Sequence, residues 1–271
     1  MVIKDLKKER AEKIGGRDAQ LLITSVLDIS ITDYMLCSDK KISDEKTTEI
    51  LTKAERIKRG EPLQYVVGMA EFMSLKFRVN PAVLIPRADT ETLVELAIRE
   101  IGDNSCTVLD IGSGSGCVAF SIANYCKNSK VTSIDISETA LSVANENSRL
   151  NNTDVNFIKC DIMNSKPYGS FDMIVSNPPY IPTEVINTLD KNVREYEPKT
   201  ALDGGFDGLD FYRRIISLAP SLLNKDGKLL FEVGHDQSDN VSNLLKSKFT
   251  DISIIKDLCG VNRVVFGILK N

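Results

Sequence analysis

From residue 107 onward, short apolar runs rich in Val and Ile alternate with longer stretches of helical periodicity, and this alternation limits the chain to few architectures. The pattern predicts strands over 107–111, 130–134, 155–158, 171–175 and 227–233. Helices are predicted over 116–126, 137–150, 207–223 and 237–248, with a further one, 92–101, ahead of the first strand. Segments 252–255 and 264–269 read as a closing hairpin. The expected fold is therefore α/β, a doubly wound and mainly parallel sheet. A sheet of that kind takes its ligand beyond the carboxyl ends of its strands.

The first 62 residues have almost no strand composition. A helix over 18–29 would turn Leu21, Leu22, Val26 and Leu27 to one face, and a second, 43–58, opens on Ser43-Asp44-Glu45 and ends at Arg59-Gly60. Composition shifts at Glu61-Pro62, after which aromatic and β-branched residues alternate with polar ones, as in Leu75-Lys76-Phe77-Arg78-Val79. Three segments follow: a helical domain over 1–62, a connecting hairpin over 63–88, and the alternating domain over 89–271. The net charge of -4 and pI near 5.3 argue against affinity built on neutralising many phosphates. The six cysteines (Cys37, Cys106, Cys117, Cys126, Cys160, Cys259) form no Cys-x-x-Cys pair, and His235 is the one histidine, so reduced, mostly buried thiols are expected and no metal site. Residues 1–10 mix charges of both signs and no run approaches the roughly 18 apolar residues of a membrane span, so a soluble cytoplasmic protein is expected.

Chemistry concentrates at the strand ends. The run 171–175 stops at Ser176-Asn177-Pro178-Pro179-Tyr180, where two prolines fix φ and force a stiff, extended loop. Asn177 offers an amide oxygen, Pro178 a carbonyl with no N–H beside it, and Tyr180 an aromatic face. Two fixed acceptors and a flat ring suit a planar NH2 group, whose lone pair they would aim. Upstream, Asp110 leads into Gly112-Ser113-Gly114-Ser115-Gly116, a glycine-rich turn at a helix start. Asp135 ends the next strand, where an acid takes ribose hydroxyls. Cys117 replaces the third glycine of a dinucleotide fingerprint, which favours a nucleoside ligand other than a nicotinamide cofactor. Asp161, followed by Ile162, could accept from an adenine amino group, and Asp110 is the natural partner for a cationic amino-acid head.

Leu109-Asp-Ile-Gly-Ser-Gly-Ser-Gly together with Asn177-Pro-Pro-Tyr resembles the class I S-adenosylmethionine-dependent methyltransferases that act on amino or amide nitrogen, with a Rossmann-like sheet. Gln64-Tyr65-x-x-Gly68, Leu84-Ile85-Pro86-Arg87-x-Asp89-Thr90-Glu91, Glu197-Pro198-x-x-Ala201-Leu202, Gly208-Leu209-Asp210 and Glu232-x-Gly234-x-x-Gln237 narrow this to the peptide chain release factor glutamine methyltransferases. Ala88 stands where that family often has proline. The resemblance implies S-adenosyl-L-methionine as cofactor, held by Asp110, Gly112 to Gly116, Asp135, Asp161, Ile162 and Asn177. It implies a class I release factor as partner, with Asn177, Pro178, Pro179 and Tyr180 on the substrate and N5-methylglutamine in a Gly-Gly-Gln loop as product. An adenine-N6 methyltransferase is the rival, since a flipped base also presents an exocyclic amine. It calls for a basic groove that this acidic chain does not display. His235 beside Asp236 has no nucleophile pattern nearby and reads as surface or structural, and Glu197-Pro198 as loop structure. Arg87 and Glu91 either shape a substrate entrance or cap the following helix.

Overall fold

The computed structural model describes residues 2–36 and 39–270, so Cys37 lies outside the described residues. The chain begins with α1 (Ile3–Ile14), α2 (Gly16–Leu27), α3 (Ile31–Leu36), α4 (Asp44–Lys58) and α5 (Leu63–Val67), then the paired strands β1 (Met69–Phe72) and β2 (Leu75–Arg78). The alternating part runs α6 (Glu91–Ile101), β3 (Thr107–Ile111), α7 (Cys117–Tyr125), β4 (Lys130–Asp135), α8 (Glu138–Asn151), β5 (Asn156–Lys159), β6 (Phe171–Ser176), α9 (Lys191–Tyr196), α10 (Asp210–Leu218), β7 (Leu223–Glu232), α11 (Ser238–Leu245), β8 (Phe249–Lys256) and β9 (Asn262–Leu269). Two compact units result, Met1–Met69 with Asp190–Tyr196, and Ala70–Leu189 with Glu197–Asn271. The first unit therefore reaches past residue 62 and takes in α9, from far along the sequence.

In the first unit α2 buries Ala19, Leu22, Ile23 and Val26, an i, i+3, i+4, i+7 stripe, while Leu21 is on the outer side. The expected face was thus rotated: Ile23, not Leu21, completes it. These residues pack with Ile3, Leu6, Ile50 and Ala54 into one core. Ser43 caps α4 by accepting from the Lys46 amide at 3.3 Å, as its place in the sequence predicts. At the other end Arg56 forks onto Glu61, Nε to Oε2 at 2.8 Å and Nη2 to Oε1 at 2.5 Å. The stretch expected to open as a strand at 63 forms α5 instead. Pro62 fixes the extended approach and Gly68, at φ 78°, supplies the left-handed stop, so local turn geometry overrides the strand preference of Tyr65, Val66 and Val67.

The hairpin of β1 and β2 is shorter than expected. Its turn places Met73 and Ser74 at positive φ, 49° and 58°, and outside groups hold it there: Glu91 Oε1 accepts from the Met73 amide at 2.7 Å, and Tyr125 Oη donates to the Met73 carbonyl at 2.7 Å. Glu91 is thereby assigned to the hairpin rather than to a helix cap.

The main sheet of the second unit has the order β5-β4-β3-β6-β7-β9-β8, with β9 antiparallel to both neighbours and the other pairings parallel. Both faces are covered, and strict alternation distributes side chains between them. Val108, Met173, Val175 and Leu230 join a core with Phe72, Phe77, Leu93 and Phe120, whereas Leu109, Ile174, Leu229 and Phe231 join another with Tyr212, Ile215 and Val241. Each fully buried side chain of this size stabilises by roughly 1.5–3 kcal/mol. Pro220 cuts α10 short of the expected end at 223 because it removes an N–H and clashes with the preceding turn. Strand order reverses between β3 and β6, so the chain crosses over on opposite sides and leaves a crevice beyond their carboxyl ends. Among the described residues no helix is long and apolar enough to cross a membrane.

Candidate active site

A cavity of about 490 Å³ occupies that crevice, within the range typical of small-ligand sites. The glycine turn forms its floor. Gly112, Gly114 and Gly116 all have positive φ, 93°, 53° and 82°, and the amides of Gly112 and Ser113 both donate to the Ile134 carbonyl at 2.9 and 3.0 Å. The chain thus folds back over the end of β4. A Cβ on Gly116 would lie 2.3 Å from the Phe120 ring, so this glycine serves the approach of α7 to the turn rather than a ligand.

Asp135 fixes the same turn from the side. Its Oδ2 accepts from the Gly114 amide and its Oδ1 from the Ser137 amide, both at 2.9 Å, and each oxygen keeps lone-pair capacity toward the cavity. Asp161 is held likewise by the Met163 amide at 2.9 Å and Asn164 Nδ2 at 2.6 Å. Gly112, Ser113, Gly114, Ser115, Asp135, Asp161, Ile162, Asn177, Pro178 and Pro179 all line the cavity.

Asp110, Gly116 and Tyr180 do not. Asp110 is 1% exposed beneath the turn, where Ser133 Oγ donates to its Oδ2 at 2.6 Å and in turn meets Ser113 Oγ at 2.6 Å. Burial, with repulsion from Asp135, pushes its carboxyl up to about 7 against the Ser133 hydrogen bond. A group so enclosed supports the turn and offers nothing to a cationic head directly. Tyr180 is turned into the protein beside Gly234, and burial raises its phenol to about 12. Its contribution comes through its carbonyl, which accepts from Gln237 Nε2 at 2.9 Å while Gln237 Oε1 takes the Gly234 amide at 3.1 Å.

Asn177 follows β6 at the cavity wall. Its Nδ2 donates to Thr90 Oγ1 at 3.1 Å, so the nitrogen end of the amide is already engaged. Arg87, which also lines the cavity, makes an ion pair with the buried Glu197, and these two bring the segment after Glu197 to the cavity edge. His235 is exposed, 3.9 Å from Asp236, and outside the cavity. Cys117 and Cys160 line the cavity edge, Cys106 and Cys126 are buried, and Cys259 is exposed, all as free thiols; burial raises the Cys117 thiol to about 12. Among the described residues no cluster of His, Cys, Asp and Glu could hold a metal ion.

Sequence reasoning passed over Asn147. Fully buried on α8, its Oδ1 accepts from the Arg78 amide at 2.6 Å, and its Nδ2 donates to the Arg78 carbonyl at 3.0 Å and the Ser115 carbonyl at 2.9 Å. It ties the hairpin to the glycine turn. A lone Asn in the middle of a helix of polar composition carries no signal of this. The residues that are present fit a nucleoside with a polar tail: close-approach glycine backbone at one end, two restrained carboxylates along the wall, and the Asn177 side-chain amide at the other end.

Comparison with known proteins gives the family. The PrmC N-terminal domain model matches residues 6–68 and the methyltransferase small domain model residues 88–192. The release factor glutamine methyltransferase of Geobacter sulfurreducens is 39% identical over 96% of this chain and 91% of its own. That of Fusobacterium nucleatum is 41% identical over 92% of this chain and 72% of its own. In three dimensions a methyltransferase from Pyrococcus furiosus matches 84% of this chain and all of its own length with a TM-score of 0.54 at 19% identity, a likeness of fold. With the fold, the cavity and relatives spanning nearly its whole length in agreement, this chain belongs to the release factor glutamine methyltransferase family.

Proposed function

We propose that the chain methylates the N5 side-chain amide of the glutamine in the Gly-Gly-Gln motif of class I peptide chain release factors, with S-adenosyl-L-methionine as donor. The observation that carries this reading is the position of Asn177: its amide nitrogen donates to Thr90, and it lines, together with Pro178, the same cavity as the glycine turn, Asp135 and Asp161. When bound, S-adenosyl-L-methionine supplies a methyl group on a sulfonium that is already a good leaving group. Asp135 accepts from its ribose hydroxyls, Asp161 from its adenine amino group, and the glycine turn lies against its tail.

A glutamine amide is a weak nucleophile because its lone pair is delocalised into the carbonyl. Asn177 Oδ1 and the Pro178 carbonyl accept its two hydrogens, which aims the lone pair and favours the positive charge that develops on nitrogen. The N-methylated, protonated amide is strongly acidic and loses its proton without a dedicated base. Tyr180 acts through the backbone it anchors, from behind the loop. A translation factor as substrate places the reaction in the cytoplasm.

The test offers labelled S-adenosyl-L-methionine together with an intact release factor, the same factor with its Gly-Gly-Gln glutamine replaced, and duplex DNA. Label on the intact factor alone supports the reading. Label on DNA, or on the glutamine-less factor, overturns it.

Two outcomes follow. Asp135→Ala removes charge-assisted bonds each worth about 1.5–3 kcal/mol, so S-adenosyl-L-methionine affinity drops about tenfold or more in calorimetric titration. The drop also reflects the freed Gly114 and Ser137 amides. A folded variant with an unchanged titration curve removes Asp135 from the site. Deleting residues 1–60 spares that affinity and raises the KM for the release factor, because the first unit is proposed to grip the protein substrate. Equal methylation by a folded truncated chain assigns that unit another role.

A further inference from the structure

The two halves of the glycine turn are held by different elements. The end of β4 fixes the first half, where the amides of Gly112 and Ser113 donate to the Ile134 carbonyl and that of Gly114 to Asp135 Oδ2 at 2.9 Å. The second half is held from α8. Asn147 Nδ2 donates to the Ser115 carbonyl at 2.9 Å, and the same amide group meets both backbone groups of Arg78 on β2: Oδ1 accepts from the N–H at 2.6 Å and Nδ2 donates to the C=O at 3.0 Å. The N–H and C=O of one strand residue point to the same side, so a primary amide pairs with them as a neighbouring strand would. Both donor hydrogens and the oxygen are thereby engaged at 0% exposure. A half-turn of the amide would set its oxygen against two carbonyls and its NH2 against an N–H, which fixes one orientation. Only Asn and Gln carry this pair of groups, and Gln would add a methylene to a fully buried site.

We propose that Asn147 is a positioning residue for cofactor binding, which ties the Ser115 end of the glycine turn to the β1–β2 hairpin and so keeps the turn in its binding form before the ligand arrives. The inference rests on the reading of function above, in which S-adenosyl-L-methionine lies against this turn. Asn147 does not line the cavity and Ser115 does, so its effect on a ligand passes through the backbone it holds.

The turn needs such a hold. Three glycines in five residues make 112–116 a segment that loses much conformational freedom on ordering. At Gly114 the place of a Cβ is open space, so no packing steadies the chain there. A turn ordered only part of the time binds with an apparent Kd raised by the inverse of its competent fraction. The hairpin, in contrast, is a firm anchor. Asn151 Nδ2, one helical turn beyond Asn147, donates to the Lys76 carbonyl at 3.0 Å, and the Phe77 ring packs against Phe120 with centroids 6.2 Å apart.

Two substitutions separate the two ties. Asn147→Asp keeps an oxygen for the Arg78 amide and loses both donors, whereas Asn147→Leu, of similar volume, loses all three bonds. Either raises the Kd for S-adenosyl-L-methionine about tenfold in calorimetric titration, the worth of one such hydrogen bond, and KM for the cofactor rises with it. At saturating cofactor kcat and the KM for the release factor stay as in the wild type, because the occupied turn takes the same form. A purely structural role lowers the melting temperature and leaves the affinity of the folded chain alone. Wild-type affinity in a folded Asn147→Asp or Asn147→Leu chain therefore overturns the proposal.

Amide exchange gives a readout that needs no ligand. Without cofactor the Gly114 amide exchanges faster in both variants, while the Arg78 amide is freed only in Asn147→Leu; Gly114 exchange at the wild-type rate in both refutes the tie. The wild-type chain supplies an arm should neither variant fold. Cofactor slows exchange of the Asn147 side-chain NH2 hydrogens more than those of Asn145, which is on the same helix and donates to the Leu141 carbonyl at 2.7 Å. Equal slowing of the two, or none, overturns the proposal. A wild-type chain that binds no S-adenosyl-L-methionine refutes the proposed function, and Gly114 exchange in the variants still decides the positioning role.

Discussion

Asn177→Ala lowers turnover by about 10² to 10³, the usual consequence of deleting one preorganised hydrogen-bond partner of a transition state. The incoming amide keeps a single anchor, the Pro178 carbonyl, and rotates about it, so its lone pair leaves the line to the methyl group. Single-turnover methylation of an intact release factor, beside one whose Gly-Gly-Gln glutamine is replaced, measures the effect. Asn177→Asp keeps an acceptor oxygen in place and retains more activity than the alanine variant. A folded Asn177→Ala enzyme with full activity removes the loop from the chemistry.

The strand ends were legible because their signals are local. Asp135, Asp161 and Asn177 each follow an apolar run directly, and a parallel sheet delivers every such position to the same edge. Asp110 was misplaced for a physical reason that sequence does not display. It stands two residues before the turn, inside β3, where parallel pairing with β4 and β6 closes over it. Tyr180 adjoins the cavity in sequence, yet its ring turns toward Gly234 and packs against the core on that side of the sheet. Thr90 and Asn147 act through bonds that span 87 residues, or 32 to 69. Spacing along the chain says nothing about those.

The segment 197–208 was the least legible part of the site, because its form is dictated by the surface it lies on. The Ile181 amide donates to Leu202 at 3.0 Å and the Gly204 amide to Ile181 at 2.9 Å, which lays this segment alongside the residues after Tyr180 as a second layer of backbone. Gly208 sits against the Tyr180 carbonyl and Gln237 in the same layer; a Cβ there would meet them at 2.3 and 2.6 Å. Phe206, in the middle, is 91% exposed, whereas Leu202 is buried. Leu202 and backbone contact hold the layer, and only glycine permits backbone contact so close.

Gly204→Ala is accordingly expected to damage catalysis more than stability. Its new Cβ would lie 2.7 Å from Tyr180 Cα, 2.8 Å from the Pro179 carbonyl oxygen and 2.9 Å from Gly208 Cα, all backbone atoms that no rotamer change can move aside. Two segments must part by several tenths of an ångström. Pro178 and Pro179 make their side stiff, so the shift is passed to the Pro178 carbonyl and Asn177 rather than absorbed locally. Overpacking of this kind costs about 1–3 kcal/mol of stability, which a thermal melt registers as a modest loss. A displacement of even about 1 Å at reacting groups costs on the order of 10² in rate, and the loss is read in kcat. Gly204→Ala with a lowered melting temperature and undiminished turnover would show that the second backbone layer does not set the position of the Asn-Pro-Pro-Tyr loop.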